Sequence, residues 1–395
     1  MRVLQLSTSK QGGAGLSAAM LDQKLREDGV ESKLLTRSNL NLHQLILSKA
    51  TTFSGRISAS ADYDFLSSNS ISTIDYKKVL NYDPHIIHIH NWYNLLSVSS
   101  LRKLSKIAPL VFTLHDERLV TGGCHVTLGC EKYLSKCTNC PAHRLHFSRD
   151  KFKSDLISFF ESGAPYGVIS PSQWLMNKIE QTPLASRALF SRVIPNHLSM
   201  SADTLEVQDN NEVKTQLIFI ASNLDAPYKG FKHLLSALSI LDEKLDQLGK
   251  KVDLIIVGSP SKAIVAVFKN IGIVVKSQMS TDKLSKQLIL ADILVVPSLS
   301  ENYPGVIAEA QLQGTRVVAN RVGGVSEMIQ DNLTGYLASP NPDSLAEKLL
   351  EAILDTNGEK IRAEAFQAVN LRQNSRVINQ EHIEIYKGLL SAEGK

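Results

Sequence analysis

The sequence predicts an α/β protein built of two doubly wound, Rossmann-like parallel-sheet domains that face each other across a cleft. Three observations predict it. Short β-rich runs alternate with longer runs of helical period from end to end. The short runs are continuously apolar, as strands buried on both faces are. A polar stretch, Ser199 to Lys214, divides the alternation into two series. In the first series the strands are Val3 to Thr8, Ser32 to Thr36, Ile86 to His90, Val111 to His115, Tyr166 to Ser170 and Arg192 to Pro195. In the second they are Leu217 to Ala221, Val252 to Gly258, Ile273 to Lys276, Ile293 to Pro297 and Arg316 to Ala319. The expected domains are residues 1–196, with a cysteine-rich insert at 121–141, and residues 197–374. A final helix, 375–395, is expected to pack back on the first domain.

A chain of 395 residues, 43% hydrophobic and 21% charged, is long enough for two cores. A membrane span needs ~18 to 20 uninterrupted apolar residues. The richest run, Ile289 to Leu299, is broken by Asp292 and Pro297. The opening apolar run is too short for a signal peptide, which makes the cytoplasm the default compartment. Net charge is +4, but residues 1–200 carry 23 Lys+Arg against 15 Asp+Glu. A basic first half suits phosphate-bearing acceptors or an anionic membrane face, although a mixed surface of this kind is commonly just solvated. Nucleic acid is not an expected partner.

Gly13-Ala14-Gly15-Leu16-Ser17-Ala18 follows the first strand and opens a helix, so it fits a dinucleotide fingerprint. An acid about 20 residues on would hold the ribose, yet the second strand ends in Thr36-Arg37-Ser38, where the arginine suits NADP. An NADP-dependent oxidoreductase is therefore one expectation, set against a plain glycine turn.

The second series is more specific. Ser300-Glu301-Asn302-Tyr303-Pro304-Gly305-Val306-Ile307-Ala308-Glu309-Ala310 follows an apolar strand, with Pro304 in the first turn of a helix that Gly314 stops. Backbone N–H groups around Tyr303 to Val306 then form an anion site suited to a diphosphate. Glu309 lies ~7 Å further along, within reach of a sugar ring, and Glu301 lies before the helix. Paired glutamates are ordinarily surface charges, but Glu309 sits between two alanines of an apolar helix. Lys229, in Tyr228-Lys229-Gly230-Phe231, offers a point charge to a diphosphate leaving group. Gly323 and Gly324, ahead of Val325-Ser326-Glu327, would let backbone approach a ligand.

Taken in order, Ile194-Pro195-Asn196, Lys229-Gly230, the glutamate pair, Gly323 to Glu327 and Asp331-Asn332-Leu333-Thr334-Gly335-Tyr336 resemble the retaining glycosyltransferases of the GT-B fold, family four. The resemblance spans essentially the whole chain. It implies a nucleoside-diphosphate sugar bound by the second domain, an acceptor bound by the first, and transfer of a hexose with retention. It also implies that Glu309 binds ribose hydroxyls, Glu301 contacts the hexose, and Lys229 steadies the departing diphosphate without a divalent metal. An arginine that many members carry before the lysine is absent, its region being Ser222-Asn223-Leu224-Asp225, and His197 replaces the usual glycine after Pro-Asn. Gly13 and Gly15 count among the expected donor-binding residues. His115, in Thr113-Leu114-His115-Asp116, resembles the strand-end histidine near the transferred sugar, whereas His88 and His90 have no assigned role. Double displacement needs a carboxylate nucleophile, and no residue clearly fills that role. Same-face transfer, with the departing phosphate taking the acceptor's proton, is what the resemblance implies. A sugar-binding protein without turnover is a third reading.

All four cysteines, Cys124, Cys130, Cys137 and Cys140, fall in one short segment. The alternatives are a structural zinc on four thiolates, reduced thiols, or a redox-sensitive pair. The segment from Thr121 to Pro141 resembles an insert in a bacterial polysaccharide-assembly branch of the same family, whose products include colanic acid and O-antigen. That branch implies a lipid-linked glycan acceptor at the inner membrane face.

Overall fold

The computed structural model describes residues 1–37, 42–63, 66–67, 72–200, 205, 214–259 and 267–393. Ser38 and most of the expected linker, 201–204 and 206–213, lie outside the described residues. The chain divides into two compact units, Met1–His197 with Asn374–Lys395, and Leu198–Gln373.

In the first unit, β1 (Arg2–Ser7), β2 (Glu31–Leu35), β3 (Ile86–Asn91), β4 (Leu110–Thr113), β5 (Tyr166–Ser170) and β6 (Phe190–Val193) form one parallel sheet, six-stranded among the described residues, in the order β2-β1-β3-β4-β5-β6. Successive side chains leave a strand on opposite faces. Leu4, Leu6, Ile87, Ile89 and Phe112 therefore pack into one core. Val3, Ile86, Val111 and Ile169 enter another with Leu21 and Leu25 of the helix Gly12–Glu27. The helix Ser375–Glu393 completes that second core with Ile378, Ile385, Tyr386 and Leu389. Gly167 of β5 faces this helix: a Cβ there would lie 3.5 Å from both Ile385 and Leu389, at ordinary contact distance.

In the second unit, β7 (Thr215–Ala221), β8 (Val252–Gly258), β9 (Ile271–Lys276), β10 (Ile293–Val296), β11 (Arg316–Asn320) and β12 (Tyr336–Ala338) form a second parallel sheet in the order β12-β11-β10-β7-β8-β9. β12 has no counterpart among the expected strands. Its three residues are too short for a period to show, and its buried place comes from pairing with β11. β9 begins two residues earlier than expected, at Ile271, because Gly272 interrupts the apolar run. β4 closes at Thr113, so Leu114 and His115 lie just beyond the ladder rather than within it. Strand order reverses between β1 and β3 in the first sheet and between β7 and β10 in the second. The carboxyl ends at such switch points are where an open α/β sheet binds ligands.

Leu389→Ala removes a fully buried side chain from the core under β1, β3 and β5. We expect it to cost the first unit about 2–4 kcal/mol, read as a lower urea midpoint. An unchanged midpoint would mean that the final helix contributes little to that core.

Candidate functional site

At the second unit's switch point, Lys229 closes a short 3₁₀ turn, Pro227–Lys229, after β7. Its Nζ donates to Glu301 Oε1 at 2.6 Å. The Ser298 hydroxyl donates to the same oxygen at 2.9 Å. The backbone explains why these groups meet. Gly230 has φ +70°, and a Cβ there would lie 1.9 Å from the Pro297 carbonyl oxygen, so only glycine lets the Lys229 turn close on the end of β10. Gly323 has φ +55°, and a Cβ there would stand 1.7 Å from the Glu301 carbonyl, which also accepts from the Gly324 N–H at 3.1 Å. The missing Cβ at Gly323 thus lets the main chain of Glu301 approach closely, and the Gly324 N–H bond helps fix it in place. Asn320, at the end of β11, donates to the carbonyls of Pro297 and Ser298 at 2.8 and 3.2 Å and holds the same turn.

The helix that follows is Gly305–Leu312, with Pro304 at its N-cap and Gly314, φ +74°, just beyond its end. Pro304 has no N–H, so donors toward an anion come from the backbone of its neighbours, including Gly305 and Val306 at the positive end of the helix. The Tyr303 ring is buried in the second unit's core and its hydroxyl accepts from Gln373 at 2.7 Å, leaving its main chain as the part able to serve a ligand. Glu309 points its carboxylate to the Ser199 hydroxyl at 3.0 Å, and burial raises its pKa. Two carboxylates able to accept from hydroxyls, a lysine and a helix N-terminus together offer recognition of a phosphate carrying polyhydroxyl groups. Ser298 and Ser199, which hold the two glutamates, had no motif to reveal them.

In the first unit, the helix Gly12–Glu27 starts at the carboxyl end of β1, with no acid in its first turn. Gly13 faces open space, whereas a Cβ on Gly15 would lie 2.5 Å from the Ser9 carbonyl. Gly13 is thus free to approach a ligand, while Gly15 is spent on close packing of the turn. Ser17 donates to Asn196 at 2.9 Å, which ties the Ile194-Pro195-Asn196 motif to this helix. The Arg37 side chain is half-buried, and burial lowers its pKa.

His115 heads a column of five histidines. Its Nε2 lies 3.2 Å from Nδ1 of His90, whose Nε2 lies 2.6 Å from Gln5 Oε1. His88 stacks on His90 with centroids 4.2 Å apart and bonds Tyr386 and Thr113, each at 2.7 Å. His382 lies beyond His88, and His197 stacks on His382 at 6.4 Å. His197 bonds Asn379 at 2.9 Å, and Asn379 donates to Asp28 at 2.7 Å. Thus the histidine that stands in place of the usual glycine after Pro-Asn is a buried partner of the final helix. Burial is the leading cause that pushes every one of these pKa values down: His115 to about 3, His197 and His382 to about 4, His88 and His90 well below the ordinary value. The rings are neutral, so between His90 and His115 one donates the shared proton and the other accepts it. Gln5, a lone amide in an apolar strand, was the sequence signal for this column.

The insert after His115 is pinned by buried charge. Glu117 accepts from Lys178 at 2.6 Å, and Lys178 also donates to Thr127 at 2.6 Å. Arg149 donates to the Gly122 carbonyl at 2.8 Å, and Gly123, φ +117°, leaves room for the Ser67 carbonyl 2.0 Å from where a Cβ would stand. Cys124, Cys130, Cys137 and Cys140 line one small pocket with Tyr63 and Tyr133. The four are free thiols, and burial pushes Cys124 up to about 12. As positioned, no three His, Cys, Asp or Glu among the described residues form a group that could hold a metal ion.

Residues 203–368 match the family model of the glycosyl transferases group 1. The chain is 27% identical over 219 residues to a lipopolysaccharide 1,2-N-acetylglucosaminetransferase of Salmonella typhimurium, a match covering 50% of this chain and 56% of that protein. It is 26% identical over 334 residues to the putative colanic acid biosynthesis glycosyl transferase WcaC of Escherichia coli, covering 77% of this chain and 75% of WcaC. The match thus spans little more than half the length of the Salmonella relative. Among solved structures, sucrose-phosphate synthase from Thermosynechococcus elongatus superposes with TM-score 0.67 at 17% identity, over 99% of this chain and 100% of that one. HepE of Anabaena, in complex with UDP-glucose, superposes with TM-score 0.62 at 18% identity, over 99% and 100%. At these identities the likeness establishes the fold, which is GT-B.

The histidine column carries a pH prediction. The unfolded chain binds protons at histidine below about pH 6.5, whereas the folded rings resist protonation down to about pH 4. The unfolded state therefore takes up more protons in that window, so stability is full above it, declines as pH falls through it, and levels off below. Removing one ring, as in His382→Gln, should flatten the dependence between pH 6.5 and 4.5 by up to about 1.4 kcal/mol per pH unit in urea titrations. A wild-type and variant pair with parallel pH profiles would overturn the neutral-column reading.

Proposed function

We propose that the chain is a group 1 glycosyl transferase that moves a hexose from a nucleoside-diphosphate sugar to a glycan or lipid-linked glycan, with retention of anomeric configuration. The observation that carries this reading is the Lys229–Glu301 pair at 2.6 Å, set at the second sheet's switch point beside the N-terminus of the helix that bears Glu309. In this reading the backbone N–H groups around Gly305 and Val306 receive the diphosphate. Lys229 turns part of its charge from Glu301 to the leaving phosphate, and Glu301 accepts from hexose hydroxyls. Glu309, a shielded carboxylate, accepts from the two ribose hydroxyls. His115, kept neutral by burial, exchanges hydrogen bonds with the sugar and does not carry charge to it.

Stabilisation of the departing phosphate by fixed dipoles and one lysine is then the protein's main contribution to rate. In this reading the departing phosphate is the base that takes the acceptor's proton. The names of the two relatives support an acceptor in bacterial surface polysaccharide assembly. HepE's complex with UDP-glucose makes UDP sugars the first donors to test. No helix of the described residues is long and apolar enough to cross a membrane. A structural zinc on Cys124, Cys130, Cys137 and Cys140 stays within the proposal. Four thiols around one cavity supply the donor count, and binding would need their sulfurs to draw together.

A donor screen monitored by nucleotide release tests the activity directly. A thermal-shift panel of UDP, GDP, ADP and NADPH separates it from an oxidoreductase, since stabilisation by NADPH alone would contradict the transferase. Donor binding without release with any acceptor would instead indicate a sugar-binding protein. Glu309→Ala is expected to abolish transfer with an unchanged melting temperature, and near-normal turnover would sink the donor-site assignment. Elemental analysis of protein purified without chelator tests the metal: close to one zinc would support it, and less than about a tenth of an equivalent would remove it from the proposal.

A further inference from the structure

We infer that the helix Leu42–Ser58, with the loop beside its C-terminal end, is a docking surface for an anionic lipid bilayer. This helix is seated by its polar side. Ser48 is fully buried and its hydroxyl donates to the Asn94 carbonyl at 3.0 Å, while the Asn94 side chain donates to Thr52 at 2.8 Å. The opposite side is apolar. At 100° per residue, Leu42, Phe53, Ile46 and Ile57 fall within about 60° of one another. The structure leaves these four side chains between 53% and 74% exposed. A helix that turns hydroxyls inward and large hydrocarbon side chains outward is built the reverse way from one meant for water alone.

The charges around the stripe identify its occupant. Lys49 and Arg56 are exposed along one margin, and the helix contains no Asp or Glu. The neighbouring loop is fixed to the helix end: the Arg144 N–H donates to the Ser58 carbonyl at 2.8 Å, and Ala59 forms an antiparallel bridge with His143. That loop adds Leu145 and Phe147, each at least 60% exposed, and the exposed Arg144. Large apolar side chains bordered by cations match acyl chains lying beneath phosphate headgroups. The excess of basic residues in the first 200 works in the same direction over a longer range. This inference extends the reading of a lipid-linked acceptor and rests on it for its purpose alone.

The test is flotation of the full chain with vesicles of phosphatidylglycerol and phosphatidylethanolamine, compared with pure phosphatidylcholine, in the absence of any sugar donor. The wild type is expected to float with the anionic vesicles and only weakly with phosphatidylcholine. Ile46→Ser with Phe53→Ser should reduce binding at least about tenfold, and Lys49→Gln with Arg56→Gln several-fold. Both sets lie on the surface, and an unchanged melting temperature checks the fold. Wild-type protein that stays unbound, or serine variants that float normally, would overturn the proposal. So would a wild-type dimer in sedimentation that the serine variants dissolve, because the stripe would then serve a second copy. Nucleotide release by the same variants reads the transfer chemistry separately, so loss of flotation with release retained bears on docking alone.

Discussion

Both sheets are parallel and covered by helices on both faces, and this constraint governs where the molecule can place chemistry. A strand buried on two sides has no exposed flank, so polar side chains belong at its carboxyl end or need a complete set of partners within. Lys229 and Glu301 take the first solution, just past β7 and β10, and His115 takes it just past β4. His88 and His90 take the second.

The histidine column shows what the second solution demands. His88 sits on a central strand with no exposure, and its two nitrogens meet Tyr386 and Thr113. The final helix is thereby a part of the first unit's polar interior as well as its apolar cover, since Tyr386 serves both and Asn379 joins His197 to Asp28. Neutral rings are tolerated there because imidazole without a proton carries no charge to desolvate. The same burial suits His115 to hydrogen bonding as a neutral ring and unsuits it to bearing charge.

In the second unit, positional accuracy comes from main chain. Gly230 and Gly323 have left-handed φ and face carbonyl oxygens closer than any Cβ allows, so the Lys229 turn and the Glu301 turn are locked against their neighbours. A flexible lysine and a flexible glutamate then meet with little freedom left to lose.

The sequence by itself determined the alternating α/β architecture, because two-sided burial leaves continuous apolar runs that survive without any knowledge of pairing. It also determined the helix Gly305–Leu312, whose proline start and glycine stop are local backbone rules. β12 was not legible, since three residues show no period, and neither was the role of Gly323, which depends on a carbonyl over twenty residues away. The exposed stripe of Leu42, Ile46, Phe53 and Ile57 reads in sequence as an ordinary buried helix face. Only the tertiary structure shows that Ser48 and Thr52 are the side turned inward, because amphipathicity fixes a helix's two faces and not which of them meets the core.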